Sequence, residues 1–210
     1  MDMVRGYQSL YREDKPRELF KWITLLSRFN NGKPLTKDLI TEIEGFFDYY
    51  WKNDRMRALN SEQGERFIHE LPSNISETII IEFLFRDFLF LFKSAFNYRK
   101  QKKMYYLNFK DRNCREKMKN FLICLEPRFY LESGPLIQDQ NHEVSEILFI
   151  MKGRVGVGYR IFNELFLGMQ IYSRQIINDY AMINEKVSEF IYMPIIDNVE
   201  GLALRKSSFK

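Results

Sequence analysis

The sequence predicts an α+β protein with helices in its N-terminal half and an antiparallel β-roll or jelly roll in its C-terminal half. In the first half, apolar residues recur at three- and four-residue spacing, which is typical of amphipathic helices. From Pro127 onward the apolar runs become short and punctuated, a pattern that indicates several short strands. The 210 residues suffice for one sizeable domain, or for a compact domain with a helical extension.

Four helical regions are predicted before residue 97. The first follows Pro16, and the second is capped by Thr36 and runs through Trp51. Apolar faces support both helices, with Leu19, Ile23 and Leu26 on the first and Leu39, Ile43, Phe46, Phe47 and Tyr50 on the second. A short third helix starts at Asn60 or Ser61 and ends at "HELP", residues 69–72. The fourth region runs from Ser73 towards Phe96 with a change of pattern, and so a possible break into two helices, near Phe88.

The remaining elements follow a basic stretch at Asn97–Lys103, which we expect to be an exposed connector. One more helix is predicted over Arg115–Leu125. Strands are predicted from the alternating or continuous apolar runs "RFYLES", "PLIQDQ", "EILFIMKG", "RVGVGYRIF", "FLGMQIY", "SEFIYMPI" and "EGLALRK".

The stretch "SEILFIMKGRVGVGY", Ser145–Tyr159, raises the choice between a phosphate-binding loop and a β-hairpin. Its glycines have the spacing G-x-x-G-x-G, which matches neither the dinucleotide fingerprint nor the P-loop. No helix start follows it, although a helix N-terminus is what would bind a phosphate. We therefore predict a hairpin that turns at Lys152-Gly153, with the glycines permitting close packing or a bulge.

Composition and motifs give no sign of catalysis. The chain is 45% hydrophobic and 29% charged, with a net charge of +4 that does not by itself indicate a nucleic-acid partner. His69 and His142 have no nucleophile or paired carboxylate at motif spacing, and Cys114 and Cys124 form no metal or disulfide pattern. We predict no enzyme activity and no metal site. The run "YRKQKKMYY" fits single-stranded nucleic acid, but a solvated loop is the preferred interpretation.

Neither a leader nor a membrane span is expected. The N-terminus lacks an apolar stretch, and the longest apolar run, Ile79–Phe92, is too short to cross a bilayer and carries charges. The two cysteines favour a reducing compartment.

In its order of features, the chain resembles the cytoplasmic C-terminal region of cyclic-nucleotide-gated, hyperpolarisation-activated and ether-à-go-go-type cation channels. Five stretches carry the resemblance: "LTKDLITEIEGFFDYYW", "ERFIHELPSNI" with its Leu-Pro, "FKSAF", "LEPRFYLESGPLI" and "SEILFIMKGRVGV". The last two are similar to the family patterns L-x-x-x-x-Y-x-x-G-D-x-I and M-Y-F-I-x-x-G-x-V-x-V. They are weak one by one, and their order and spacing make the resemblance specific.

The resemblance implies a helical linker over residues 1–96, a connector over 97–112 and a cyclic-nucleotide-binding-type β-roll over 113–210. It implies a homotetramer assembled through the linker, on the cytoplasmic side of a membrane, with the pore and voltage-sensor domains upstream. The subunit contact would fall in Arg17–Trp51, with aromatic anchors available at Trp22, Phe29, Phe46, Phe47 and Tyr50. Those aromatics could instead serve only an intramolecular core. The two C-terminal helices of the family, one of which covers its ligand pocket, have no counterpart in the stretch ending "LALRKSSFK".

The nucleotide pocket implied by the resemblance departs from the family pattern. The family has F-G-E, a short helix, and an Arg followed by small residues. Here Ile177, Asn178 and Asp179 occupy the F-G-E positions, while Ser188 and Phe190 fall where the Arg and its small neighbours should be. Losing a charge-assisted phosphate contact costs on the order of 1.5–3 kcal/mol. We therefore expect weak or absent binding of cAMP and cGMP, and no other cofactor.

Two alternatives remain. The first is a soluble cyclic-nucleotide-type sensor or kinase regulatory subunit that uses the same β-roll. The second, ranked last, is a transcription regulator of the catabolite-activator type, because such proteins place the roll before their DNA-binding helices.

Overall fold

A computed structural model describes residues 17–56, 59, 68, 70–96, 98–100, 103–105, 112–132, 134–162 and 164–208. The chain divides into two compact units, residues 1–52 and residues 53–210. Most of the predicted third helix, including His69, lies outside the described residues.

The described part of the first unit contains two helices, α1 over residues 17–29 and α2 over Lys37–Asn53, which runs one residue past the unit's boundary. A turn with positive φ at Asn31 and Gly32 joins them. The backbone N–H of Leu39 donates to Oγ1 of Thr36 at 3.4 Å, so the predicted N-cap is present. The two predicted helices are confirmed, and the predicted apolar positions of α1 are its more covered ones.

The second unit begins with a segmented helical region over residues 73–96. It consists of α3 (Ser73–Thr78), a π-helix (Ile79–Leu84), α4 (Arg86–Leu91) and α5 (Lys93–Phe96). The predicted interruption of this region is present, but it takes the form of two breaks, at Phe85 and at Phe92, and neither falls at the predicted position near Phe88. The N–H of Phe85 donates to the carbonyl of Ile80 at 3.0 Å, a five-residue step that widens the helix by one residue. This five-residue step puts Ile80 and Phe85 on the same buried side, where each is 1% exposed.

A short antiparallel ribbon and one helix lead into the sheet. The ribbon pairs β1 (Tyr98–Lys100) with β2 (Lys103–Tyr105), where the sequence analysis expected only a connector. Helix α6 spans Arg112–Ile123, in agreement with the predicted helix except that Leu125 already starts a strand.

The main sheet is antiparallel and has five strands in the order β3-β7-β4-β5, with β6 also paired to β4. Its strands are β3 (Leu125–Tyr130), β4 (Glu146–Ile161), β5 (Glu164–Ile171), β6 (Gln175–Ile177) and β7 (Ile191–Arg205). A short helix, α7 (Asp179–Ile183), follows β6, and a 3₁₀ turn at Lys206–Ser208 follows β7. The predicted fold class, α+β with N-terminal helices and an antiparallel β-roll, is confirmed.

The predicted hairpin at Lys152-Gly153 is wrong, because β4 continues through both residues. The chain reverses instead after Ile161, between β4 and β5. Gly153 has φ of +91°, and the pairing of β4 with β7 shifts register on both sides of it. The Lys152-Gly153 pair therefore marks a β-bulge that bends one long strand, and not a turn between two strands. In the same way, the two strands predicted over residues 188–206 form the single long strand β7.

Both faces of the central strands are buried, which explains the continuous apolar run at Ile147–Met151. One face packs with the helical region and α6, and includes Ile147, Phe149, Leu202 and Leu204. The opposite face lines the inside of the roll, and includes Leu148, Ile150, Val155, Val199 and Ala203. Alternation along β4 thus divides one run between two apolar clusters.

Candidate ligand pocket

The pocket forms around the turn that follows β6, where the sequence analysis placed the phosphate-binding cassette. Asn178 has φ of +69°, a left-handed conformation that asparagine tolerates better than most non-glycine residues. It immediately precedes α7, and its side-chain Nδ2 donates to the carbonyl of Glu146 at 3.3 Å. Asn178 therefore provides the left-handed turn that leads into α7, and its side chain ties this turn to the start of β4.

Four of the five predicted site residues meet in a pocket of about 120 Å³. These are Asn178, Asp179, Ser188 and Phe190. The fifth, Ile177, is 2% exposed and packs inside the roll rather than in the pocket. The other lining residues are Tyr180, Ala181, Lys186, Val187, Glu189 and Tyr192.

Ser188 and Phe190 occupy the place where a phosphate-binding arginine is expected. Ser188 is 2% exposed, and its Oγ donates to the carbonyl of Phe190 at 2.7 Å. Its backbone N–H donates to the carbonyl of His142 at 3.0 Å, and its own carbonyl accepts from the N–H of Asn141 at 2.8 Å. The polar groups of Ser188 are thus occupied by the chain itself, while the Phe190 ring adds apolar bulk.

Carboxylates outnumber cations in the lining, with Asp179 and Glu189 against Lys186. The hydroxyl of the nearby Tyr192 has a raised pKa. The largest cause is its burial, followed by the negative charges of Asp179 and Glu189. A negative field of this kind opposes the approach of a phosphate.

Lys186 is the residue that sequence reasoning missed. It is the single cation between Arg174 and Arg205. The sequence analysis considered only an arginine at this place and therefore did not select it. Its Nζ donates to the hydroxyl of Tyr180 at 3.2 Å and lies 5.2 Å from the centroid of that ring. The ammonium group is therefore held by an aromatic partner at the pocket wall.

A charged network fixes the strand ends beneath the cassette. Nη2 of Arg128 donates to Oε2 of Glu146 at 2.7 Å, and Nε lies within 3.1 Å of both carboxylate oxygens. Burial lowers the pKa of Arg128, but hydrogen bonds and charge from Glu146 and Glu126 more than offset this and leave it raised. The hydroxyl of Tyr130 donates to Oε1 of Glu146 at 3.1 Å. Because Asn178 bonds to the backbone of the same glutamate, the network and the cassette share an anchor.

The predicted interface aromatics divide into two groups. Trp22, Phe46, Phe47 and Tyr50 form ring contacts with one another, with centroids 5.6–6.3 Å apart. This cluster supports an intramolecular role for them, although Trp22 and Phe46 stay partly exposed. Phe29 is 80% exposed at the end of α1. An inter-subunit role for any of the five stays a prediction.

Within the described ranges, no group of three or more His, Cys, Asp or Glu side chains could hold a metal ion. The same residues contain no helix with the length and apolar character of a membrane span.

Comparisons with known proteins concern the fold. No protein-family model matches the chain, and no curated protein sequence matches it. Part of the chain is similar to the regulatory domain of Toxoplasma gondii PKA with cAMP, with 12% identity over 45% of this chain and 36% of that one, and a TM-score of 0.41. It is also similar to a cAMP-binding acyltransferase from Mycobacterium smegmatis, with 18% identity over 49% of this chain and 31% of that one, and a TM-score of 0.39.

A third similar structure is an EAL enzyme in its cGMP-bound form, with 14% identity over 40% of this chain and 22% of that one, and a TM-score of 0.37. The matches span about a third or less of the length of these proteins. At such identities the similarity bears on the fold alone, and the nucleotides named belong to those proteins.

Proposed function

We propose that this chain is a gating and assembly module on the cytoplasmic side of a tetrameric cation channel, with potassium as the proposed ion. In this proposal the β-roll is a structural and coupling module of the channel, and its cassette has lost high-affinity binding of cyclic nucleotides. The observation that carries the loss is the lining of the pocket, where Ser188 and Phe190 replace a phosphate-binding arginine and two carboxylates face one lysine.

The core supports a coupling role for the roll. Phe149 of β4 lies 5.2 Å from both Phe88 and Phe92, and 6.0 Å from Phe121, measured between ring centroids. These rings join the sheet, the helical region 73–96 and α6 in one close-packed cluster. Since packed interiors transmit displacement, a shift of β4 would move the helices that the proposal places nearer the pore.

Isothermal titration calorimetry of the 210-residue chain with cAMP and cGMP tests the loss of binding. We expect no saturable heat at micromolar nucleotide. The substitution Glu189→Arg changes the formal charge of the lining from −1 (Lys186, Asp179, Glu189) to +1. We expect it to strengthen binding by about tenfold, which corresponds to about 1.4 kcal/mol. The matched control Glu116→Arg, at an exposed position of α6, should leave the titration unchanged. Micromolar binding by the unaltered chain would refute the proposed loss.

The channel and tetramer parts of the proposal rest on the resemblance and need a separate test. The coding sequence upstream of Met1 should encode a filter motif T-x-G-Y-G and a basic voltage-sensor helix. If it encodes neither, the second candidate is favoured, a soluble sensor of the same β-roll type. The observation in favour of that candidate is that the turn at Asn178 and the cation Lys186 still line a formed pocket.

A further inference from the structure

The outer edge of the β-roll exposes an apolar surface that neither the pocket nor the core uses. Strand β5 ends the strand order of the main sheet and pairs only with β4 among the described residues. Seven of its eight residues are exposed, and so are the last three residues of β4, Tyr159–Ile161, and Tyr172 beyond the end of β5. We call this surface the β5 edge; its large apolar side chains, each 40–99% exposed, are Tyr159, Ile161, Phe162, Leu165, Phe166, Leu167, Met169 and Tyr172.

Both sides of the strand contribute to the β5 edge. Phe166 stacks on Tyr159 on one side, with ring centroids 6.4 Å apart. On the other side, Leu167 lies next to Ile195 across Gly156, where an added Cβ would meet both side chains. An edge strand that is apolar on both sides is disfavoured in water, because its backbone groups and its side chains can all pair with another strand.

We propose that the β5 edge is a dimer interface, occupied by the β5 edge of a second copy of this chain in antiparallel pairing. Four of the eight side chains are aromatic. If about 200 Å² is taken for each large side chain, aromatic or aliphatic, the eight together expose on the order of 800 Å² at their observed fractions. That is about the area, 800 Å², that each partner buries in a standard-size interface. A single added peptide strand would leave much of this surface uncovered, whereas a second copy covers it with an equal one.

Charge at the two ends of the strand fits the antiparallel arrangement. Glu164 begins the strand and Arg174 follows its end, and both are exposed. In an antiparallel pair the start of each strand lies beside the end of the other. Glu164 of each copy then lies near Arg174 of the other, so two Glu–Arg pairs flank the apolar contact. The interface is the same on both copies and gives a closed two-fold dimer.

Gly168 offers a substitution that disturbs the pair and not the monomer. A Cβ added at Gly168 has no atom within 4 Å, and its φ is not positive, so the folded monomer tolerates a side chain there. We expect Gly168→Lys to raise the dimer dissociation constant by at least about tenfold, since a charge would enter the apolar contact. Gly45→Lys on α2, where an added Cβ is equally free, is the comparison variant. It lies in the contact region of the proposed tetramer, so it should leave the dissociation constant of the β5-edge dimer unchanged, and any effect it has reports on association through the first unit.

Sedimentation equilibrium of the 210-residue chain and both variants measures this constant, and circular dichroism verifies that each variant is folded. A spin label at Met169→Cys, with Cys114 and Cys124 replaced by serine, provides the second measurement. We expect a short distance between labels of two protomers, and a long one for the control position Phe90→Cys.

Three results would overturn the proposal. They are a chain that stays monomeric at high micromolar concentration, a dimer that Gly168→Lys does not weaken, and open-ended aggregates without a limiting mass. Weakening by Gly45→Lys alone would assign self-association to the helical first unit instead, which is the surface of the proposed tetramer. The dimer and tetramer proposals therefore fail separately.

Discussion

Gly153→Ala tests the reinterpretation of the glycine-rich stretch as a bend in a long strand. Gly153 has φ of +91°, and a Cβ there would lie 2.5 Å from the carbonyl oxygen of Asn198 and 2.9 Å from Cα of Val199. Both neighbours are backbone atoms of β7, so neither can move aside without disturbing the ladder. A non-glycine residue in a sparsely populated backbone region costs about 1–3 kcal/mol. Overpacking of a well-packed site adds about 1–3 kcal/mol.

We therefore expect Gly153→Ala to lower the free energy of unfolding by about 2–6 kcal/mol. Urea denaturation followed by circular dichroism measures it. Gly168→Ala is the matched control, because its Cβ meets nothing within 4 Å, and its effect should stay within about 1 kcal/mol. Equal stability of the two variants would refute the bulge argument and return Gly153 to an ordinary strand position.

Two further predictions concern the core and the charged network. Phe88→Ala should lower the free energy of unfolding by about 3–5 kcal/mol, because its fully buried ring is the centre of the phenylalanine cluster. Thermal denaturation measures this effect, with Phe90→Ala as the control because the Phe90 side chain is 74% exposed. Burial, followed by the charge and hydrogen bond of Glu146, raises the pKa of Tyr130. The unfolded chain then loses this proton first, so stability should fall as pH rises above about 10. Denaturation across alkaline pH should show a smaller fall for Tyr130→Phe, and an unchanged fall would contradict the assignment.

Local patterns predicted the elements whose signals are local. Thr36, followed by apolar residues at helical spacing, predicted both α2 and its N-cap. The spacing of Leu19, Ile23 and Leu26 predicted the more covered face of α1. These succeed because a helix closes its hydrogen bonds within four residues, so its sequence contains its own partners.

Patterns whose partners are distant in sequence misled the prediction. Lys152-Gly153 resembles a turn, but β7 provides a partner on both sides of Gly153, and pairing across the bulge satisfies the strand. The break at Phe85 likewise follows from which side of the helix meets the sheet, through Phe88 and Phe149. A preference for turning was overridden by hydrogen bonds and packing made elsewhere in the chain.

The candidate pocket shows the same division. The sequence placed Asn178, Asp179, Ser188 and Phe190 in one cassette, and the structure brings these four together. It could not show that Ser188 donates its hydrogen bonds to the carbonyls of Phe190 and His142, nor that the ammonium group of Lys186 contacts Tyr180. Side-chain partners depend on rotamers and on loops from other elements, and spacing contains neither.

By itself, then, the sequence determined the α+β class, the order of helices before strands, and the segment that holds the candidate pocket. The tertiary structure alone decided that β4 and β7 are single bent strands, that the apolar run of β4 serves two clusters, and that β5 is left exposed at an edge. The physical reason is that a β-strand is completed by partners far along the chain. Only the assembled sheet fixes which of its groups are paired, buried or left open.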